Sequence, residues 1–312
     1  MFHKIFYGNF SMGSGSRLRN PSDIFKKIED KNVIKEYKNS IVRDLQKSKI
    51  KIKDIAKWKI MDVGLGRQAI AFLNITKNTV DHYDINITNV KKIKSLIKRN
   101  KVSQRLNTNC KDLVHAKLPV KKYDLLYLQG IVQHFSDPSK GLKNCLNAVK
   151  PGGIAWIYFY RSGSFNQFVD FILRDFIHNS EISNLTEKNL IQYVKKIKLF
   201  SKKKKIDYYF ADCFIDSVFT KYAWLYRPDV VLKSIQKYGY KKIFSSGAKP
   251  EGVDYEHSFS RSAFVYVFKK YKHQKLFLNN LKPYKSINQL KIRYQSQQIK
   301  KTIHIYKNFK KK

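Results

Sequence analysis

Three aspartates and one histidine stand where this sequence can do chemistry. Asp62 lies inside the apolar run Ile60-Met61-Asp62-Val63, two positions before Gly64 in Gly64-Leu65-Gly66-Arg67-Gln68-Ala69. Asp84 ends the run Thr79-Val80-Asp81-His82-Tyr83-Asp84, twenty positions after Gly64. That is the distance at which a carboxylate reaches ribose hydroxyls in a nucleotide-binding βαβ unit. Asp112 follows a third short run, Gln104 to Thr108, and its carboxylate suits an exocyclic adenine amine. His134 closes Gln129-Gly130-Ile131-Val132-Gln133-His134, directly after the apolar stretch Tyr123 to Leu128. Its imidazole titrates near neutrality, so it is a candidate general base. Each position has a plainer use as well: Asp84 as a helix cap, Asp112 as a loop aspartate, His134 as a structural histidine.

The elements that position these groups follow from the pattern. Ile60 to Val63, a glycine turn and the apolar segment Ala69 to Leu73 read as strand, turn and helix. Gly64 and Gly66 remove side chains where a ligand approaches the backbone, and the new helix offers unpaired N–H groups to the same space. The glycine spacing also fits a dinucleotide fingerprint. Asp62 opposes that reading, since a carboxylate is awkward beside a pyrophosphate but suits a cationic ligand. Further strands are predicted at Thr79–Asn86, Gln104–Thr108, Tyr123–Leu128, Ile154–Tyr160, Lys242–Ser245 and Ala263–Phe268. Helices are predicted at Val90–Lys98, Ser139–Val149 and from Pro228 to Lys237, with two more before the first strand over Ile24 to Leu45. Lys150-Pro151-Gly152-Gly153 reads as a sharp turn.

These pieces, in this order over residues 58–161, resemble a class I S-adenosylmethionine-dependent methyltransferase of the small-molecule branch. The matching motifs are Met61-Asp62-Val63-Gly64-Leu65-Gly66, Tyr83-Asp84-Ile85, Lys111-Asp112-Leu113, Tyr123-Asp124-Leu125-Leu126-Tyr127, Gln129 to His134, Asp137-Pro138 and Lys150-Pro151-Gly152-Gly153. The resemblance implies an α/β, Rossmann-like, doubly wound sheet of seven mostly parallel strands with an antiparallel last strand, plus a helical insertion. It implies S-adenosyl-L-methionine as cofactor. Gly64 and Gly66 would pass under its methionine portion, with Asp62 near the ammonium or sulfonium end. Asp84 would hold the ribose, Asp112 and the Leu113 backbone would meet the adenine, and Leu128 and Gln129 would close the methionine side. Two positions depart from the family pattern: Gln68 replaces a third glycine, and Gln133-His134 replaces paired histidines.

The organisation expected is an N-terminal lid and helices over 1–57, the cofactor-binding core over 58–161, and a helical, aromatic substrate insertion over 162–227. Completion of the sheet over 228–270 and a basic tail over 271–312 follow. Tyr7 and Phe10 sit in a Gly- and Ser-rich leader suited to a lid. Arg161 and Asp212 are candidates for gripping the methyl acceptor, and the aromatics between Asp207 and Tyr226, Tyr208 and Trp224 among them, suit either the roof of a substrate pocket or the core packing of a helical lid.

Composition bounds the partners. The chain of 312 residues carries 63 Lys plus Arg against 23 Asp plus Glu, a net charge of +40. Such an excess can serve nucleic acid or an anionic membrane. Lysine, however, recurs in every segment beside Asn, Ile and Tyr, the mixture an A+T-rich coding sequence produces, without the arginine clusters of phosphate recognition. The resemblance implies a small-molecule or sugar-type acceptor, methylated on oxygen or nitrogen, with RNA methylation and non-catalytic cofactor binding as alternatives. No D-P-P-Y or N-P-P-Y tetrad follows Leu128, which argues against base-amine methylation. No Cys-x-x-Cys spacing joins Cys110, Cys145 and Cys213, so no metal site is expected. No run is long and apolar enough for a membrane span or a secretory leader, and a cytoplasmic location is the expectation.

Overall fold

The computed structural model describes residues 28–160, 222, 224–247 and 263–271. Helix α1 (Lys31–Lys47) starts where the Asp30 carboxylate accepts from the Asn32 and Val33 N–H groups. A single turn, α2 (Ile52–Ile55), leads into β1 (Ile60–Val63). There follow α3 (Arg67–Phe72), β2 (Val80–Asp84), α4 (Ile87–Lys98), β3 (Leu106–Cys110) and β4 (Tyr123–Leu128). A 3₁₀ turn (Val132–His134), α5 (Pro138–Ala148) and β5 (Val149–Tyr160) complete the first half. Beyond residue 222 come α6 (Pro228–Lys237), β6 (Tyr240–Ser246) and β7 (Ala263–Lys270).

The seven strands form one sheet in the order β3-β2-β1-β4-β5-β7-β6. The first five are parallel, and β7 runs antiparallel between β5 and β6. Strand alternation divides the core into two layers. Ile60, Leu125, Tyr127, Ile154 and Trp156 face a layer with Val33, Tyr37, Ile41, Ala69, Phe72, Ile93 and Leu96 from α1, α3 and α4. Met61, Leu126, Leu128, Ala155 and Ile157 face Leu142, Leu146, Val231 and Ile235 from α5 and α6. Both faces of β1 and β4 are covered, which is why those strands are apolar apart from Asp62 and Asp124. Within the first layer Tyr127 stacks on Trp156 at 4.4 Å and meets the Phe72 edge at 5.1 Å.

One polar network crosses the sheet under β1. Asp81 on β2 accepts from Lys122 Nζ at 2.5 Å, Tyr123 Oη at 2.7 Å and Asn107 Nδ2 at 2.8 Å. Burial by itself would raise the Asp81 pKa, but these donors outweigh it and hold the carboxyl below its ordinary value.

Several boundaries differ from the sequence reading. The third strand starts at Leu106 and runs to Cys110, and the sixth is longer, from Tyr240 to Ser246. The Lys150 to Gly153 stretch is not a separate turn but the irregular entry of β5. Gly152 has φ +79°, the pairing with β4 shifts there, and regular register resumes at Leu125 opposite Ile154. Of the two expected early helices, the later one, through Val33 to Leu45, is α1, while Ile24 and Phe25 of the earlier one lie outside the described residues; the single turn α2 was not expected.

Candidate active site

The glycine turn after β1 is fastened to β2 through both backbone groups of Gly64. Its N–H donates to the Tyr83 carbonyl at 3.0 Å. Its carbonyl lies 2.5 Å from His82 Nε2. Gly64 and Gly66 have φ of +124° and +88°, conformations open to glycine and costly for other residues. A Cβ at Gly64 would come within 2.9 Å of Ile131 Cδ1, and one at Gly66 within 2.4 Å of Ile93 Cδ1. Glycine is thus required here by backbone conformation and by protein neighbours on α4 and the post-β4 turn, a reason the sequence reading had assigned to the ligand alone. Helix α3 that follows has only six residues. Gln68, where a third glycine was expected, donates from Nε2 to Gln129 Oε1 at 3.3 Å and ties α3 to the end of β4.

His82 is the residue that sequence reasoning missed. It is fully buried. Since a carbonyl only accepts, Nε2 carries the proton toward Gly64, and Nδ1 accepts from the Thr108 hydroxyl at 2.8 Å. Burial pushes the imidazole pKa down to about 4 despite the Gly64 bond, so the ring is neutral around pH 7. The available signal was a histidine inside an otherwise strand-like run.

Asp84 ends β2 beside this turn and is 8% exposed. Its Oδ1 accepts from the Asn86 N–H at 2.8 Å and its Oδ2 from Asn89 Nδ2 at 3.0 Å. Asn86 itself caps α4, accepting from Thr88 N–H at 2.9 Å. Asp84 is therefore oriented by the cap region without being the cap. Burial raises its pKa to about 6, against the lowering effect of those donors. A carboxylate has about four acceptor sites, so capacity remains for a ligand hydroxyl. Asp62 is buried within β1, paired in register between His82 on β2 and Tyr127 on β4.

Asp112 has the plainer environment. Its Oδ1 accepts from the Val114 N–H at 2.9 Å, and its carbonyl accepts from the His115 and Ala116 N–H groups. The carboxylate stabilises its own turn, with His115 Nε2 3.9 Å from Oδ2. Leu113 beside it is buried.

At the end of β4, Leu128 is fully buried and Gln129 is half-buried, its Oε1 also 3.4 Å from the Tyr127 hydroxyl. The 3₁₀ turn that follows is held by residues just before α6. Trp224 donates its backbone N–H to the Gln133 carbonyl at 3.0 Å and its indole N–H to the Phe135 carbonyl at 2.7 Å. Tyr226 donates its hydroxyl to the Val132 carbonyl at 3.0 Å. His134 Nδ1 donates to the Tyr222 carbonyl at 2.8 Å, which puts the ring lone pair on Nε2, the tautomer a general base needs. The His134 ring meets the Tyr160 ring edge-on at 5.8 Å. Gln133 is fully buried, and among the described residues neither polar atom of its carboxamide has a hydrogen-bond partner.

Parallel pairing of β1, β2 and β4 brings the Gly64 turn, Asp84, Gln129 and the His134 turn to one edge of the sheet, the edge where open parallel sheets bind ligands. Asp112 follows β3, the outermost of these strands. Arg161, Tyr208 and Asp212 lie outside the described residues, as do the N-terminal leader and the basic tail. Among the described residues there is no cluster of three metal-ligating side chains and no helix long and apolar enough to cross a membrane.

Residues 61–157 match the family described as a methyltransferase domain. Over 99 residues the chain is 27% identical to the ubiquinone biosynthesis O-methyltransferase of Coxiella burnetii, a match that spans 30% of this chain and 40% of that protein. The chain thus aligns with less than half the length of the curated relatives it matches. Among solved structures, PKMT2 from Rickettsia typhi is similar in fold, with a TM-score of 0.52 at 11% identity over 82% of this chain and 55% of that one. The same protein in complex with AdoHcy gives a TM-score of 0.49 at 15% identity, covering 73% and 51% of the two chains.

Proposed function

We propose that this chain, whose residues 61–157 form a class I S-adenosylmethionine-dependent methyltransferase domain, transfers a methyl group to an oxygen or nitrogen of a small-molecule or sugar-type acceptor. The observation that carries this reading is Asp84. It is a buried carboxylate at the carboxyl end of β2, beside a glycine turn, oriented by two donors and retaining acceptor capacity. That is a site for a ribose diol. S-adenosylmethionine bound there supplies a methyl already activated by its sulfonium. The chain's own residues then hold and align the reactants and exclude water. Asp84 takes the ribose, the Gly64–Gly66 turn and Asp62 the amino-acid and sulfonium end, and Leu128 and Gln129 its far side. Asp112 and the Leu113 backbone meet the adenine. His134, with its lone pair on Nε2, accepts the proton of a hydroxyl acceptor.

The name of the Coxiella relative, an O-methyltransferase of ubiquinone biosynthesis, supports an oxygen acceptor, and the match of residues 61–157 to a methyltransferase domain supports the cofactor. Residues 162–227, which follow β5 in the chain, are assigned the choice of acceptor.

Calorimetric titration with S-adenosylhomocysteine tests the cofactor, with NADH and NADPH as comparators. Tighter binding of either dinucleotide overturns the reading. Transfer of labelled methyl from S-adenosylmethionine into a small-molecule fraction tests the activity, and binding without transfer would leave a cofactor-binding protein.

A second reading, an RNA acceptor, draws on one feature. Lys94, Lys111, Lys117 and Lys122 line a hollow of about 730 Å³ along β3 with Asn107 and Asn109. Salt-sensitive RNA binding that is lost on neutralising Lys94, Lys111 and Lys117 would favour it.

A further inference from the structure

We infer that His82 is a positioning residue for cofactor binding: its neutral imidazole, held in one tautomer by Thr108, fixes the Gly64 carbonyl against β2 and so sets the shape of the glycine turn. The inference rests on the cofactor assignment above. Three observations carry it. First, His82 Nε2 lies 2.5 Å from the Gly64 carbonyl and Nδ1 lies 2.8 Å from the Thr108 hydroxyl, so both ring nitrogens are engaged. A carbonyl cannot donate, so the proton is on Nε2 and the Thr108 hydroxyl donates to Nδ1. Second, the ring is wholly buried, and a Cβ at Gly66 would lie 3.4 Å from Nε2. The imidazole therefore lies beneath both ends of the Gly64-Leu65-Gly66 turn. Third, Gly64 has a φ of +124°. Its N–H, in the Val63–Gly64 peptide, is taken by the Tyr83 carbonyl, and the His82 bond holds the next peptide plane, that of Gly64 and Leu65.

Here a side chain from the adjacent strand reaches the first carbonyl of the turn. The consequence is specific to geometry. A side chain with an N–H at the Nε2 position keeps the turn in place, and one with an N–H only at the Nδ1 position does not. Glutamine extends its amide to about the Nε2 position, and asparagine to about the Nδ1 position. The two amides are chemically alike and differ only in reach, which separates positioning from the general need for a polar group in β2.

The test is S-adenosylhomocysteine binding by calorimetry on the full chain, with thermal unfolding measured alongside. His82→Gln is expected to bind within about threefold of the parent protein, while His82→Asn and His82→Phe bind about tenfold or more weakly, the scale of one lost hydrogen bond in a buried site. Equal affinities for Gln and Asn, or unchanged affinity in a folded His82→Phe, overturn the inference. Should the His82 variants fail to fold, Thr108→Val decides. Without the hydroxyl the ring loses its tautomer lock, and affinity is expected to fall by about threefold or more. Parent affinity in that variant is the contrary result. Nitrogen NMR of the imidazole in the parent protein gives an independent reading, expected to show protonation at Nε2; protonation at Nδ1 would refute the assignment. Parent protein that binds no S-adenosylhomocysteine refutes the cofactor reading itself. Parent binding with equal binding by all variants refutes only the role of His82.

Discussion

Asp84 and Gln133 are two buried polar side chains near the same sheet edge with opposite hydrogen-bond standing. Asp84 has its donors and still titrates high, because burial outweighs them and lifts its pKa to about 6. A ribose diol donates to the ionised form, so binding should pull the proton off. The affinity for S-adenosylhomocysteine is expected to weaken as pH falls through about 6, by up to about tenfold per unit below it. Asp84→Asn should bind more weakly by about 1.5–3 kcal/mol at pH 7.5, the range for hydrogen bonds to a charged group, and should lose that pH dependence. Titration calorimetry across pH 5 to 8 checks both, and a variant that keeps the parent's pH profile would remove the ribose assignment. Gln133 is the reverse case, a carboxamide with no partner for either atom among the described residues. Each unmet buried group costs about 1–3 kcal/mol. Gln133→Met, similar in volume and apolar, is expected to raise the free energy of unfolding by about 1–3 kcal/mol in urea melts. A loss of stability would mean that the amide is satisfied in solution.

Among elements, the 3₁₀ turn carrying His134 depends most on tertiary support. Three residues of 3₁₀ helix have little stability of their own. The segment around Trp224 and Tyr226 supplies donors to the carbonyls of Val132, Gln133 and Phe135. Trp224 was expected either to roof the acceptor pocket or to pack a helical lid; in the fold its indole N–H is bound to the Phe135 carbonyl. Trp224→Phe removes that donor and keeps an aromatic ring. It should cost about 0.5–1.5 kcal/mol of stability and lower methyl transfer through misplacement of His134, with S-adenosylhomocysteine affinity unchanged. Loss of cofactor affinity in step with turnover would contradict this division. Tyr208 and Asp212 remain the insertion's candidates for the acceptor. Their alanine variants are expected to reduce acceptor turnover and leave cofactor affinity intact, measured as separate saturation curves for the two substrates; full turnover in both variants would take the insertion out of acceptor choice.

Across the whole molecule, His82 and Asp84 act oppositely on stability in acid. The His82 pKa is depressed from 6.5 to about 4, so its contribution is present above pH 6.5 and is lost as pH falls toward 4. The Asp84 pKa is raised from 3.8 to about 6, so its contribution is largest below pH 3.8 and is lost as pH rises through about 6. Over pH 4 to 6 the two slopes oppose each other. Asp84→Asn should therefore unmask acid destabilisation, with Tm falling more steeply below pH 6 than in the parent protein. His82→Gln should have the opposite effect. Identical Tm profiles for all three proteins would show that neither group titrates with the assigned shift.

The sequence by itself determined the strand-turn-helix unit around Gly64, the order of the seven strands along the chain, and the placement of Asp84 and His134 at strand ends. Those features depend on local periodicity and on glycine, proline and cap chemistry, which neighbours in the chain specify. Asn86 as the cap of α4, Asp137 as the cap of α5, and Pro228 at the start of α6 are of the same local kind. Other features depend on contacts between residues far apart in sequence. The position of β7 between β5 and β6 is one. The reason Gly66 must be glycine is another, since it is the Ile93 side chain on α4 that stands in the way. The plainer role of the Trp224 indole, the link from Gln68 to Gln129, and the His82–Gly64 bond belong with them. A histidine in a strand has no local signature for the carbonyl it will meet. Only when β2 pairs with β1 in register, Asp62 opposite His82, does that imidazole come to lie under the turn that follows.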